Sequence, residues 1–250
     1  MSDETEWRVQ QGFGLGLSVG RDLARAHGGD LRYEGSADGV VFVLTLPPPR
    51  RPPGVAHPIL GAVRVIAGAA KGTRLAPVPP GVRPVSDRAR EGVFSSLGAR
   101  VVDAAVLDLF AGTGALGIEA LSRGAGSAVF VDRTPGAVAS VRENLERTGL
   151  REHARVVRQD ALRFLQRRID HPFDLVFLDP PYALPGPAVA RVLEALRAAQ
   201  ALTEDAIVLL TRDLRSSTDV IPVDWAVAKR LTYGDSVVTL LRTQPRATEE

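Results

Sequence analysis

The stretch Ala104-Ala105-Val106-Leu107-Asp108-Leu109-Phe110-Ala111-Gly112-Thr113-Gly114-Ala115-Leu116-Gly117 begins as an apolar strand, breaks at a glycine turn and resumes as a helix. Gly112, Gly114 and Gly117 satisfy Gly-x-Gly-x-x-Gly, a spacing that lets a strand end in a tight turn and point a helix N-terminus at a ligand. Asp132 lies 20 residues after Gly112, at the end of the next predicted strand, Ser127 to Val131. A carboxylate there accepts both hydroxyls of a ribose, and it also suits the cap of a helix predicted from Pro135 to Arg147. The expected fold is α/β, with a ribose-bearing ligand at the edge of a parallel sheet.

Two cofactor classes compete for that edge, and Asp108 separates them. A dinucleotide loop brings amides to a pyrophosphate, which an acid at the strand's exit repels. S-adenosylmethionine carries an ammonium and a sulfonium and no phosphate, so a carboxylate favours it. The strand Arg155 to Arg158 leads to Asp160-Ala161, where Asp160 suits either an adenine amine or a helix N-cap. The next strand, Phe173-Asp174-Leu175-Val176-Phe177-Leu178, ends in Asp179-Pro180-Pro181-Tyr182. Paired prolines forbid helix and sheet, so a carboxylate, a carbonyl and an aromatic ring stand on a stiff turn. They suit a planar amine such as a nucleobase, or else form a plain strand-to-helix connection with a capping Asp. A helix from Pro187 to Ala199 and strands over Ala206 to Leu210, Ala226 to Thr232 and Ser236 to Arg242 complete seven strands. The last three offer no catalytic constellation.

The 250 residues are 45% hydrophobic, enough for a sizeable core. There is no cysteine, which excludes disulfides, thiolate metal sites and a covalent cysteine route to pyrimidine carbon-5. His27, His57, His153 and His171 are too scattered for metal ligation, so no metal is expected. No apolar run spans a bilayer and the start of the chain is acidic, so a cytoplasmic monomer without membrane contact is expected. Residues 58–100 carry seven Lys and Arg against two acids. There Val63 to Gly68 and Lys71 to Leu75 alternate as a hairpin, and a helix is predicted to run to about Leu97, capped by Ser86 or Asp87 and stopped by Gly98. Arg64, Lys71, Arg74, Arg83, Arg88 and Arg90 make this small appendage a candidate RNA-backbone surface.

Ahead of it, residues 47–58 hold six prolines and read as an exposed linker, drawn as 47–61. Residues 11–46 combine Gly12-Phe13-Gly14-Leu15-Gly16-Leu17, a helix from Ser18 to Ala26 and strands Leu31 to Glu34 and Val40 to Leu46. They resemble the C-terminal part of a sensor histidine kinase ATPase domain. Its Asn helix and adenine-contacting loop have no room upstream, so 1–46 is expected to be a fused, truncated fragment. A signalling or ATP-binding module is the alternative from another class.

Residues 62–242 resemble the bacterial family that methylates the 2-amino group of a guanine in 16S ribosomal RNA. The resemblance rests on Arg64-Val65-Ile66-Ala67-Gly68, Lys71-Gly72-Thr73-Arg74-Leu75, Arg83-Pro84, Asp87-Arg88-Ala89-Arg90-Glu91, Asp108 through Gly124, and Asp179 to Tyr182. Val85 departs from it, since the family usually has Thr after Arg-Pro. The resemblance implies a Rossmann-like class I methyltransferase at 62–250, with a seven-stranded, mostly parallel sheet and helices on both faces. It implies S-adenosylmethionine held by Asp108, Phe110, Ala111, Gly112 and Gly114, with Asp132, Asp160 and Ala161. Asp179, Pro180, Pro181 and Tyr182 would hold the base, and 16S rRNA or an assembling small subunit would be the partner. Asp179, with an ordinary carboxylate pKa of about 3.9, is expected to be ionised at neutral pH. An adenine amine of DNA or other RNA is the alternative acceptor.

Overall fold

The computed structural model describes residues 21–26, 30–36, 39–45, 63–77, 85–214 and 220–243. The chain divides into two units, Met1–Pro58 and Ile59–Glu250. In the first, residues 21–26 are helical and strand β1 (Asp30–Ser36) pairs antiparallel with β2 (Gly39–Thr45). The expected helix end and hairpin are therefore found, whereas the glycine loop at 12–17 and the proline-rich linker lie outside the described residues.

In the second unit, helix α1 (Asp87–Leu97) starts where Ser86 Oγ accepts from Ala89 N at 3.2 Å, and it stops at Gly98 with φ 55°. Then follow β3 (Ala105–Leu109), α2 (Ala115–Ser122), β4 (Ser127–Asp132), α3 (Pro135–Thr148), β5 (Ala154–Arg158), α4 (Ala161–Leu165) and β6 (Phe173–Leu178). Helix α5 (Gly186–Ala198) and strands β7 (Leu202–Asp213), β8 (Trp225–Tyr233) and β9 (Ser236–Thr243) follow. The sheet order is β5-β4-β3-β6-β7-β9-β8, parallel from β5 to β7, with β9 antiparallel to both neighbours. The chain winds outward from β3 to β5 and then restarts beside β3 with β6. Ligands gather at such a switch point, outside the carboxyl ends of the strands.

Strand side chains alternate between two cores. Val106, Leu175, Phe177 and Leu209 face one, with Val93 and Phe94 of α1 and Ile118 of α2. Leu107, Leu109, Val176, Leu178, Val208 and Leu210 face the other, against Val189, Val192 and Leu193 of α5. Asp108 therefore projects toward the α1/α2 side. Strand β7 is longer than its apolar run predicts, because pairing of Val208–Asp213 with β9 carries it into polar residues.

The small basic segment is anchored on the α/β core. Residues 63–77 form a tight turn with a single bridge, Arg64 to Arg74, and hydrogen bonds from Val65 N to Thr73 O and from Leu75 N to Val63 O. Fully buried Glu119 of α2 accepts from Ile66 N at 2.8 Å and Ala67 N at 3.0 Å, and Ser122 Oγ donates to Ala67 O. Asn144 of α3 accepts from Ala76 N at 2.6 Å and donates to Thr113 O at 2.8 Å. One buried amide thus ties this segment to the glycine turn.

Candidate active site

After Leu109 the backbone turns through Phe110 (φ 61°), Gly112 (φ 57°) and Gly114 (φ 77°) before α2 begins. A left-handed phenylalanine is strained, and such strain concentrates at functional turns. Asp108 Oδ2 accepts from Gly117 N at 3.0 Å, and Asp132 Oδ2 accepts from Gly112 N at 3.0 Å. Gly117 has no room for a Cβ, which would collide with the Phe130 ring and crowd the Asp108 carboxylate. Two amides of the glycine turn, Gly112 N and Gly117 N, are therefore taken by the chain's own acids. This donor set suits a cationic, ribose-bearing ligand and opposes a dinucleotide. Asp132 does not cap α3: its Oδ1 accepts from Thr134 N and Oγ1, each at 2.8 Å, and Thr134 occupies the cap position.

A cavity of about 520 Å³ opens at the switch point, bounded by Asp108, Phe110 to Thr113, Asp132 and the turn Asp179 to Tyr182. Pro181 O accepts from Leu184 N at 2.8 Å, closing that turn. The Tyr182 hydroxyl is 2.9 Å from Ser236 Oγ, which braces a ring that is 40% exposed. Burial pushes the Asp179 carboxyl up to about 7, against the opposing effect of the Thr211 hydroxyl. The ordinary carboxylate value expected from sequence is thus corrected: near neutrality Asp179 is only partly ionised. Burial, with Asp179 and Asp132 nearby, also holds Asp108 well above the usual range, and the bond from Gly117 offsets part of this. A cation in the cavity would relieve both acids.

A family model described as "Conserved hypothetical protein 95" matches residues 63–242. Ribosomal RNA small subunit methyltransferase D of Escherichia coli (strain K12) is 33% identical over 190 residues, covering 75% of this chain and 93% of that protein. The chain belongs to the ribosomal RNA small subunit methyltransferase D family. A solved Escherichia coli structure overlays with a TM-score of 0.66 at 32% identity, covering 74% of this chain and 99% of the other. A solved structure from Haemophilus influenzae overlays at 0.62 with 30% identity, covering 74% of this chain and 100% of the other. The fold of this methyltransferase D relative is that of class I methyltransferases.

Within this family member, the residues singled out from sequence divide into three groups. Asp108, Phe110, Ala111, Gly112, Asp132 and Asp179 to Tyr182 converge on the cavity. Gly114 shapes the turn behind it, while Asp160 caps α4, accepting from Leu162 N at 3.0 Å and Arg163 N at 3.3 Å. Asp160 and Ala161 do not line the cavity. Arg64, Lys71, Arg74 and Arg88 are exposed, and Arg83 lies outside the described residues. Arg90 requires correction as an RNA contact: its side chain is 0% exposed, donating to Arg64 O at 2.8 Å and Asp87 Oδ1 at 2.7 Å, with Glu119 at 3.6 Å. It joins the first turn of α1 to the buried acid of α2. The last three strands, which offer no catalytic constellation in sequence, supply Thr211, Tyr233, Ser236 and Val238 to the cavity wall. No pattern marks these residues in sequence.

Proposed function

We propose that this chain transfers a methyl group from S-adenosylmethionine to the exocyclic 2-amino group of a guanine in 16S ribosomal RNA, within an assembling small subunit. The observation that carries this is the pair of carboxylates, Asp108 near the end of β3 and Asp179 just past the end of β6, on adjacent parallel strands and lining one cavity beside glycine amides satisfied by acids. The ribosomal RNA comes from family membership. The amine comes from the site.

When bound, the cofactor supplies an electrophilic methyl on a sulfonium, which becomes a neutral thioether on transfer. Asp108 would face its ammonium and Asp132 its ribose. A guanine amine is a poor nucleophile because its lone pair is delocalised into the ring, so positioning supplies much of the rate. Asp179 would accept one N–H of the amine and a backbone carbonyl the other. Pro181 O is engaged by Leu184, so that carbonyl is assigned to Pro180. As the nitrogen–carbon bond forms, the amine becomes acidic, and Asp179 is placed to receive its proton. Tyr182 would stack on the extruded base. Exposed Arg64, Lys71, Arg74 and Arg88 would contact the RNA backbone, so binding should weaken with salt. Among the described residues no helix is long and apolar enough to cross a membrane, and no group of three His, Asp or Glu could hold a metal ion.

Mass mapping of small-subunit RNA from a strain lacking this chain tests the proposal. One guanine should lack one methyl and regain it when the protein is added. Full methylation in the deletion strain would refute it, and transfer to adenine in duplex DNA would favour the alternative acceptor.

A further inference from the structure

Thr211 Oγ1 is buried on the cavity wall, in a residue 3% exposed, and makes no hydrogen bond of good geometry although it stands close enough to Asp179 to oppose the effect of burial there. Folded chains rarely leave a hydroxyl in that state unless a ligand or a movement completes it. The sheet register says what stands beside it. Leu178 of β6 pairs in parallel with Leu210 of β7, so the next residues, Asp179 and Thr211, leave adjacent strands together. Both follow residues that face the α5 core, and alternation turns both side chains to the opposite side, toward the cavity. Val238, across from Thr211 on β9, offers only an apolar neighbour.

We propose that Thr211 is the positioning residue of the acceptor site, its hydroxyl donating to the Asp179 carboxylate and aiming that carboxylate at the amine edge of a guanine. This rests on the reading of the cavity as an amine-methylating site. A hydrogen bond donated by Thr211 favours the ionised carboxylate and so works against the burial that raises Asp179. The charge state matters for the base. Guanine presents an N–H from the ring next to its 2-amino group, so an ionised carboxylate accepts from both. Adenine presents a ring lone pair next to its amine, which a carboxylate repels. By keeping Asp179 an acceptor, Thr211 selects guanine.

Carbon-13 carboxyl NMR of the full chain, titrated with pH, reads this directly, with Asp179→Asn assigning the signal. Other groups around Asp179 are Asp108 from β3, Asp132 and Arg133 from the end of β4, Tyr182 from its own turn and Tyr233 from β8. All are unchanged in the variants. Thr211→Val and Thr211→Ala should each raise the Asp179 midpoint by about one pH unit, the size of one hydrogen bond to a charged group. Thr211→Ser should restore it. The acid limb of methyl transfer to unmethylated small-subunit RNA should move by the same amount. An unchanged or lowered midpoint in both hydroxyl-free variants would overturn the proposal. If the wild type instead transfers nothing while the midpoint still moves, the assigned function fails and the Thr211–Asp179 bond stands.

Discussion

A carboxylate that must accept N–H bonds while largely enclosed is costly to keep charged, and Asp179 shows that cost in a carboxyl pushed up to about 7. Because its folded value lies above its unfolded value near 4, the folded state holds the extra proton between those limits. Stability therefore falls as pH rises from about 4 to about 7 and levels off above. Asp179→Asn should remove this slope, raising stability at pH 8 by about 4 kcal/mol and having little effect near pH 4, as thermal unfolding across pH would show. The same variant should abolish methyl transfer while still binding cofactor, and wild-type transfer should rise with pH through about 7. Cofactor loss in the variant would move Asp179 out of the acceptor role. At Gly117 the conflict is steric. Gly117→Ala should cost about 2–3 kcal/mol by driving a methyl into Phe130 and displacing the Asp108 bond, with weaker cofactor binding by calorimetry.

Helix α1 carries two arginines whose fates differ. Arg88 is exposed, whereas Arg90, two residues on, is enclosed with Glu119. Arg90→Ala should cost about 1.5–3 kcal/mol by removing the bonds to Arg64 O and Asp87, while Glu119 keeps Arg123 at 2.7 Å, and the salt dependence of RNA binding should stay unchanged. Arg74→Glu and Arg88→Glu should do the reverse, leaving the melting temperature in place while each lowers the salt slope by about 0.7–0.9. A filter-binding series in salt, run beside melting curves, separates the two kinds of arginine. The elements themselves were largely legible: β6 and α1 have the predicted strand limits and helix stop because apolar runs, a serine cap and a terminal glycine act locally. The turn Asp179 to Tyr182 was legible because prolines act locally too. Arg90 was not, since its burial depends on an acid beyond the next strand. Thr211, Tyr233 and Ser236 were invisible for the same reason: a lone threonine or serine in a strand carries no signal until the sheet order brings it to the cavity.

At the scale of the whole chain, residues 1–58 form a unit distinct from the one that holds the cavity. We expect a chain starting at residue 59 to melt at the same temperature as the methyltransferase unit in the full chain and to transfer methyl at the same rate; a loss of either would give the first unit a role in the reaction. The domain reading follows from composition, where a proline run separates two apolar patterns. The sheet order was less accessible, because nothing local shows that β9 inserts between β7 and β8. That insertion also bears on the timing of synthesis. The strand made last of the nine described is interior to the sheet, and its Ser236 and Val238 complete the cavity wall. A nascent chain that has emerged only as far as β8 has an open β7 edge and a breached site. Activity should therefore appear only once β9 (Ser236–Thr243) has emerged, as chains arrested on the ribosome before and after that strand would show when assayed for methyl transfer.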